Sequence, residues 1–388
     1  MMEPKTPYLE VSEAIMASGG DTLYWCMQCG LCTGSCPWRL VPGRISEAFN
    51  IRHVQRLGQL GLEGFESEDV IYACTTCRQC VVRCPREVKI IENVRGMRSM
   101  LAEIGTVPAS YRPVIGSLHS HGNPWSGERS KRTDWMKGLE VPTFQEGTEY
   151  FLFVCCTSCF DARSQRIARS VVELLKKADV DFGVIGEEES CCGESIRKVG
   201  DENLFTKLAQ SNISLFKDRG VRKIITTSPH CLYTFRNEYP ELGGDFEVIH
   251  HSQLLAQLVG DGKLRPSKSL GKKIAYHDPC YLGRHNEIYD EPRQVLRDVA
   301  GEDMIELERS RVNSLCCGGG GGRIWMETEA GERFGDLRVE EALEKGAQAL
   351  ATACPYCIVM LEGSTKTMDK EEELPVFDLS ELLVETVE

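Results

Sequence analysis

Residues 150–156 read Tyr150-Phe151-Leu152-Phe153-Val154-Cys155-Cys156, and residues 273–280 read Lys273-Ile274-Ala275-Tyr276-His277-Asp278-Pro279-Cys280. Each is a short apolar run, long enough for one strand, that leads into a cysteine. Cys156 and Cys280 stand 124 positions apart; Cys191 and Cys192 recur 125 positions later as Cys316 and Cys317, and Cys231 recurs 126 later as Cys357. An offset constant to within two residues marks an internal duplication. Amphipathic helices such as Gln165–Lys177 alternate with strands such as Arg222–Thr226. That rhythm predicts α/β units with parallel strands, with the cysteines on loops at strand ends, where such folds place ligands.

Ahead of the duplication lies a second repeat. Cys26, Cys29, Cys32 and Cys36 are followed by Pro37, and Cys74, Cys77, Cys80 and Cys84 by Pro85, each residue 48 positions after its counterpart. Both runs read C-x2-C-x2-C-x3-C-P, the two-cluster ferredoxin pattern in which the fourth cysteine of each run serves the other cluster. One cubane [4Fe–4S] cluster is therefore expected on Cys26, Cys29, Cys32 and Cys84, and the other on Cys74, Cys77, Cys80 and Cys36. Zinc also takes C-x2-C pairs, but two four-membered runs both closed by proline exceed what a zinc ribbon requires.

The chain holds 19 cysteines in 388 residues. Clustered at short fixed spacings, in a chain for which no secretory signal is expected, they point to metal rather than disulfides. The formal charge of −13 argues against non-specific nucleic-acid binding, which needs Lys and Arg on phosphates. No apolar run approaches the roughly 20 residues of a membrane-spanning helix. A cytoplasmic protein is expected, reaching a membrane only through partners.

The second half collects Cys280, Cys316, Cys317, Cys354 and Cys357. Adjacent cysteines in an extended chain face opposite ways, so Cys316 and Cys317 reach one site only if the backbone bends, for which Gly318 gives freedom. Five thiolates exceed the four of a cubane, and the surplus predicts a distorted or opened cluster, or a thiolate that comes and goes. Gly318–Gly322 has no strand before it, and Arg323 breaks any G-x-G-x-x-G, so backbone approach to a cluster is expected there rather than a nucleotide.

Between the two N-terminal runs, Ile45, Ala48, Phe49, Ile51, Val54, Leu57 and Leu60 recur at helical spacing with Arg44, Arg52 and Arg56 among them, and residues 88–104 also read as helix. This part resembles the all-helical ferredoxin domain of fumarate reductase and heterodisulfide reductase subunits. Cys-Cys-Gly followed by Cys354-Pro355-Tyr356-Cys357 resembles the CCG family, typified by heterodisulfide reductase catalytic subunits. The stretches 277–284 (HDPCYLGR) and 316–326 (CCGGGGGRIWM) are similar to the C-terminal module of the methanogen D-type component of that reductase. The resemblance implies a non-cubane [4Fe–4S] cluster on Cys280, Cys316, Cys317, Cys354 and Cys357.

The first half departs from this pattern. Counting back 126 from Cys354 reaches Ser228, in Ser228-Pro229-His230-Cys231; a hydroxyl replaces a thiolate poorly on iron. Cys155 and Cys159 flank Cys156, and either can substitute. The sequence leaves the site open between a non-cubane cluster, a cubane, zinc and no metal. An iron–sulfur cluster on Cys156, Cys191, Cys192 and Cys231 is favoured, with Cys159 in reserve. His250, His251, His277 and His285 are expected to be structural.

The expected organisation is a helical ferredoxin domain over 1–105, a connector over 106–147 containing a basic stretch with Arg129 and Arg132, and CCG modules over 148–268 and 269–388. No flavin or nicotinamide signature is present, so hydride chemistry requires a partner. The expected function is an electron-transfer subunit, passing electrons between the ferredoxin clusters and the CCG modules for a flavoprotein or other redox subunit. A heterodisulfide reductase that cleaves a thiol–disulfide is the alternative, and Ser228 argues against it. Two partner settings fit the resemblance: a flavin-dependent 2-hydroxyacid dehydrogenase, or an anaerobic complex such as a tungsten-type benzoyl-CoA reductase.

Overall fold

The computed structural model describes residues 7–387. About half the chain is helical, and two four-stranded parallel sheets complete it. The residues gather into two compact units.

The first unit joins the chain up to Arg112 with two later segments, Ser195–Phe205 and Gly318–Phe334. Among its described residues there is no strand. Helices Leu9–Ala17, Ile51–Leu60 and Ile90–Glu103 pack on one another. The middle one begins at Asn50, whose side chain accepts from the His53 N–H, and stops at Gly61 in the left-handed conformation. Ile51, Val54 and Leu57 are buried while Arg52 and Arg56 stay exposed, the amphipathic face that the spacing predicts. Close helix approach needs small residues: a Cβ on Gly58 would fall 2.5 Å from Met97 and one on Gly96 3.1 Å from the Ile15 backbone.

Both later segments follow a Cys-Cys-Gly motif, so the duplication sends the same part of each module into this unit. Arg98, fully buried, fastens them. Its guanidinium donates to the carbonyls of Ile71 (2.8 Å), Cys74 (2.7 Å), Lys198 (2.7 Å) and Gly321 (3.0 Å). A planar cation with five donors suits such a cluster of carbonyls better than an ammonium.

In the second unit, strands β1 (Tyr150–Phe153), β2 (Phe182–Gly183), β3 (Lys223–Thr226) and β4 (Glu247–His250) form a sheet of order β2-β1-β3-β4. Strands β5 (Ile274–Tyr276), β6 (Met304–Glu306), β7 (Ala349–Thr352) and β8 (Val376–Asp378) repeat it as β6-β5-β7-β8. All neighbours are parallel, with Phe151 beside Ile224 and Ala275 beside Leu350. Helix Gln165–Lys177 turns Ile167, Ala168, Val171, Val172, Leu174 and Leu175 inward, and Asp290–Ala300 does the same with Val295, Leu296 and Val299.

The two modules exchange their last helices. His251–Gly260 packs on Asp290–Ala300, and Leu379–Thr386 packs on Gln165–Lys177. At the crossing, His251 Nε2 lies 3.0 Å from Asp378 Oδ1, both groups buried. Arg163 reaches Glu362 and Glu381 across the same boundary. The stretch read as a connector is ordered: it carries the 3-10 helix Arg129–Met136, which buries Arg132 and Trp135.

Candidate functional site: four groups of cysteines

In the first unit the eight ferredoxin cysteines line two cavities. Cys26, Cys29, Cys32 and Cys84 line one of about 370 Å³, together with Arg52 and Gln55. Cys36, Cys74, Cys77 and Cys80 line the other, of about 360 Å³. The fourth cysteine of each run thus joins the first three of the other. Backbone amides approach the sulfurs: Thr76 N lies 3.4 Å from Cys74 Sγ, and Val88 N lies 3.5 Å from Cys84 Sγ. Such donors stabilise negative charge on thiolate sulfur. Burial pushes the Cys74 and Cys80 thiols up. The first cavity faces solvent, with Cys29, Met27 and Leu31 exposed.

The glycine run makes the close approach expected of it, but toward the ferredoxin backbone. A Cβ on Gly320 would lie 2.4 Å from the Thr75 carbonyl oxygen, and one on Gly321 2.4 Å from that of Cys74.

In the second unit both modules bring their cysteines together at strand ends. Cys156 follows β1 and Cys280 follows β5; Ser228 follows β3 and Cys354 follows β7. Cys192 Sγ lies 3.4 Å from Cys231 Sγ, and in the other module Cys317 Sγ lies 3.4 Å from Cys357 Sγ. The bend at the first Cys-Cys pair is held from behind. Asn212 donates to the Ser190 and Cys191 carbonyls at 3.3 and 3.1 Å, and the Tyr239 hydroxyl to that of Cys192 at 3.2 Å. In the second module Asp278, two residues before Cys280, accepts two bonds from the buried Arg293, at 2.7 and 2.8 Å.

Each sulfur group has its own electrostatic company. Arg132 places Nη1 3.4 Å from Cys156 Sγ and Nη2 3.0 Å from Glu189, both side chains 3% exposed. The second module has His277 instead, within 4.8 Å of the Cys317 and Cys357 sulfurs. Burial holds His277 below its usual range, so the ring is neutral. From the first module His230 reaches Cys354 and lies 3.1 Å from Glu194. Burial opposes charge on this ring, but Glu194 and Cys354 outweigh it and push His230 up to about 10. Hydrogen bonds from Cys316 and Cys357 bring Cys317 well below the usual thiol range.

Sequence reading missed His230 and the role of Arg132. The signal for His230 was its place inside a Ser-Pro-His-Cys motif, opposite Tyr356 in the duplicate. Arg132 gave none beyond its membership of a basic stretch. His285 stacks on Tyr281 at 4.0 Å, and Tyr281 on His230 at 3.8 Å. His250 caps the helix His251–Gly260, a structural role.

Comparison with known proteins agrees with this layout. The 4Fe-4S dicluster domain family matches residues 22–88, and the cysteine-rich domain family CCG matches twice, at 150–236 and 274–362. The chain is 40% identical over 331 residues to a probable iron–sulfur-binding oxidoreductase, FadF, of Bacillus subtilis, covering 83% of the chain and 47% of the relative. It is 38% identical to an EtfAB:quinone oxidoreductase of Syntrophomonas wolfei, covering 82% and 47%. To the D-type component of the dihydromethanophenazine:CoB–CoM heterodisulfide reductase of Methanosarcina barkeri it is 28% identical, covering 93% of each. The chain therefore spans about half the length of the first two relatives and nearly all of the third. A crystal structure of a hypothetical protein from Helicobacter pylori shares the fold at TM-score 0.52 and 10% identity, covering 83% of this chain and 62% of that one. Four cysteines in each of two cavities, two duplicated sulfur groups and these matches lead to one assignment: the chain carries a 4Fe-4S dicluster domain ahead of two cysteine-rich CCG domains.

Proposed function

We propose that this chain is an electron-transfer subunit that moves electrons between a flavoprotein and the CCG modules by way of two ferredoxin clusters. The proposed ligands are Cys26, Cys29, Cys32 and Cys84 for one cubane and Cys74, Cys77, Cys80 and Cys36 for the other. Cys280, Cys316, Cys317, Cys354 and Cys357 would hold a non-cubane cluster, and Cys156, Cys191, Cys192 and Cys231 a further one. Thiolate sets of this kind suit iron–sulfur clusters, which supply one-electron steps when bound.

The observation that carries the reading is the Arg98 clamp. One side chain ties the Cys74 carbonyl to Lys198 and Gly321, each only a few residues along the chain from a Cys-Cys pair. The protein's own part is to fix these segments against the ferredoxin backbone, to donate amide hydrogen bonds to sulfur, and to bury the CCG thiols away from water. The solvent-facing loop with Cys29, Met27 and Leu31 is the proposed docking point for the donor. One relative is named an EtfAB:quinone oxidoreductase, and a reduced flavoprotein of the EtfAB kind is the proposed donor. Among the described residues no helix is long and apolar enough to cross a membrane, while another relative is named a probable membrane-anchored ferredoxin. Work at the cytoplasmic face of a membrane, through partners, fits both.

Disulfide reduction is the second reading, favoured by the matched sulfur groups of the two modules. Against it, the ground between the modules holds the His230 ring, stacked on Tyr281 and 4.7 Å from Tyr356. The test is anaerobic mixing of the holoprotein with reduced EtfAB, followed by EPR. Reduced-cubane signals growing in, without heterodisulfide turnover when reduced viologen is the donor, are the expected result. Steady turnover of a heterodisulfide with no uptake of electrons from flavoprotein would overturn the proposal.

A further inference from the structure

The Ser228 substitution removes one sulfur from the first module, and the structure holds a replacement within reach. In the second module the sulfur contacts run from Cys316 to Cys317, from Cys317 to Cys357, and from Cys357 to Cys354. In the first they run from Cys156 to Cys191, to Cys192, to Cys231. Cys155 is placed at this end of the group, where Cys231 and the Ser228 hydroxyl both act on its thiol and lower it to about 7. Cys155 is thus to Cys231 what Cys354 is to Cys357. The backbone pins it there: the Cys155 N–H donates to Thr227 Oγ1 at 3.1 Å, next to Ser228 in the chain. In the duplicate the matching position is Pro279, which has no N–H to give and no sulfur. Two changes 73 residues apart in sequence, proline to cysteine and cysteine to serine, therefore offset one another in space. Cys159, the other flanking cysteine, directs its sulfur to the Val154 carbonyl at 3.4 Å.

We propose that Cys155 is the fifth cysteine ligand of the first CCG module, standing in for the thiolate that Ser228 lacks, so that both modules present five thiolates to an iron–sulfur cluster. This rests on the proposal above that the first module binds such a cluster at all. Thiolate at position 155 supplies the soft donor that iron prefers, which a serine hydroxyl cannot. The two modules then differ in the side chains around equal sulfur sets: Arg132 with Glu189 beside one, and His277 with His230 beside the other.

The test compares anaerobically purified full-length holoproteins by iron and acid-labile sulfide content and by Mössbauer spectroscopy. Cys155→Ala should lose about four irons and four sulfides, one cluster's worth, and the double variant Cys155→Ala/Ser228→Cys should recover them. Cys159→Ala should keep the parent content. If Cys155→Ala fails to fold, Cys155→Ser, which preserves side-chain size, gives the same reading. Full parent content and an unchanged spectrum in either folded variant would overturn the assignment, as would loss in Cys159→Ala alone. A parent holding iron only for the ferredoxin pair and the second module, or zinc in the first, would overturn the underlying cluster reading and is told apart by the parent sample itself.

Discussion

Single charged side chains decide how the loops around the sulfurs are held. Arg293 is fully buried and makes a two-pronged contact with Asp278 while also meeting Glu306. Paired charges of this kind add little when replaced together, but removing one partner strands the other. Arg293→Met should therefore cost about 3–5 kcal/mol and loosen the His277-to-Cys280 loop. The check is a fall in thermal midpoint with parallel loss of second-module iron. His250 offers a pH test away from the cysteines. Burial, with the neighbouring His251 and Arg236, holds it well below 6.5, and its Nδ1 accepts from the Ser252 N–H at 3.3 Å. The folded ring stays neutral while the unfolded one protonates near 6.5, so its contribution is present above that pH and is lost as pH falls below it. The loss approaches about 1.4 kcal/mol per pH unit for one such group. His250→Asn keeps a capping acceptor and should flatten the drop in thermal midpoint between pH 7.5 and 6.0; an identical drop in both proteins would contradict this.

At the scale of elements, the segments after the two Cys-Cys-Gly motifs matter most. Their glycines allow contact that no side chain would. Gly321 sits at φ +61° with the Cys74 carbonyl oxygen 2.4 Å from where a Cβ would stand. Gly321→Ala adds left-handed strain of about 1–2 kcal/mol to a collision with backbone that cannot swing aside. Limited proteolysis should then cut within residues 318–334 at least tenfold faster than in the parent, with a changed EPR signal from the Cys74 cavity. The βαβ alternation was readable because each strand is short, apolar and followed by an amphipathic helix such as Gln165–Lys177. The exchange of last helices was not readable, since a helix pattern shows that one face is buried and does not name the surface that covers it. The same holds for Arg98: an arginine within a helical stretch reads as a solvated residue until the carbonyls of distant loops are seen around it.

For the whole molecule, the cysteines carried the architecture. Both repeats follow from spacing, because duplication leaves fixed offsets in a sequence, and the grouping of the ferredoxin residues follows from the two-cluster pattern those spacings match. The Cys155 and Ser228 relation was legible only as a question. Position 228 showed a missing thiolate and positions 155 and 159 offered two replacements, and what separates them is spatial: the Cys155 N–H bonds to Thr227 beside Ser228, while the Cys159 sulfur turns to the Val154 carbonyl. His230 and Arg132 show why the rest was hidden, as each acts on a sulfur outside its own motif, His230 on Cys354 and Arg132 on Cys156. The central claim is that ferredoxin-type and CCG-type clusters share one chain, and cluster counting on anaerobic holoprotein tests it most directly. EPR and Mössbauer spectra with iron and sulfide analysis should show more than two clusters, and Cys317→Ala should remove one of them while leaving both ferredoxin signals intact. Two cubanes alone, unchanged by Cys317→Ala, would contradict the account.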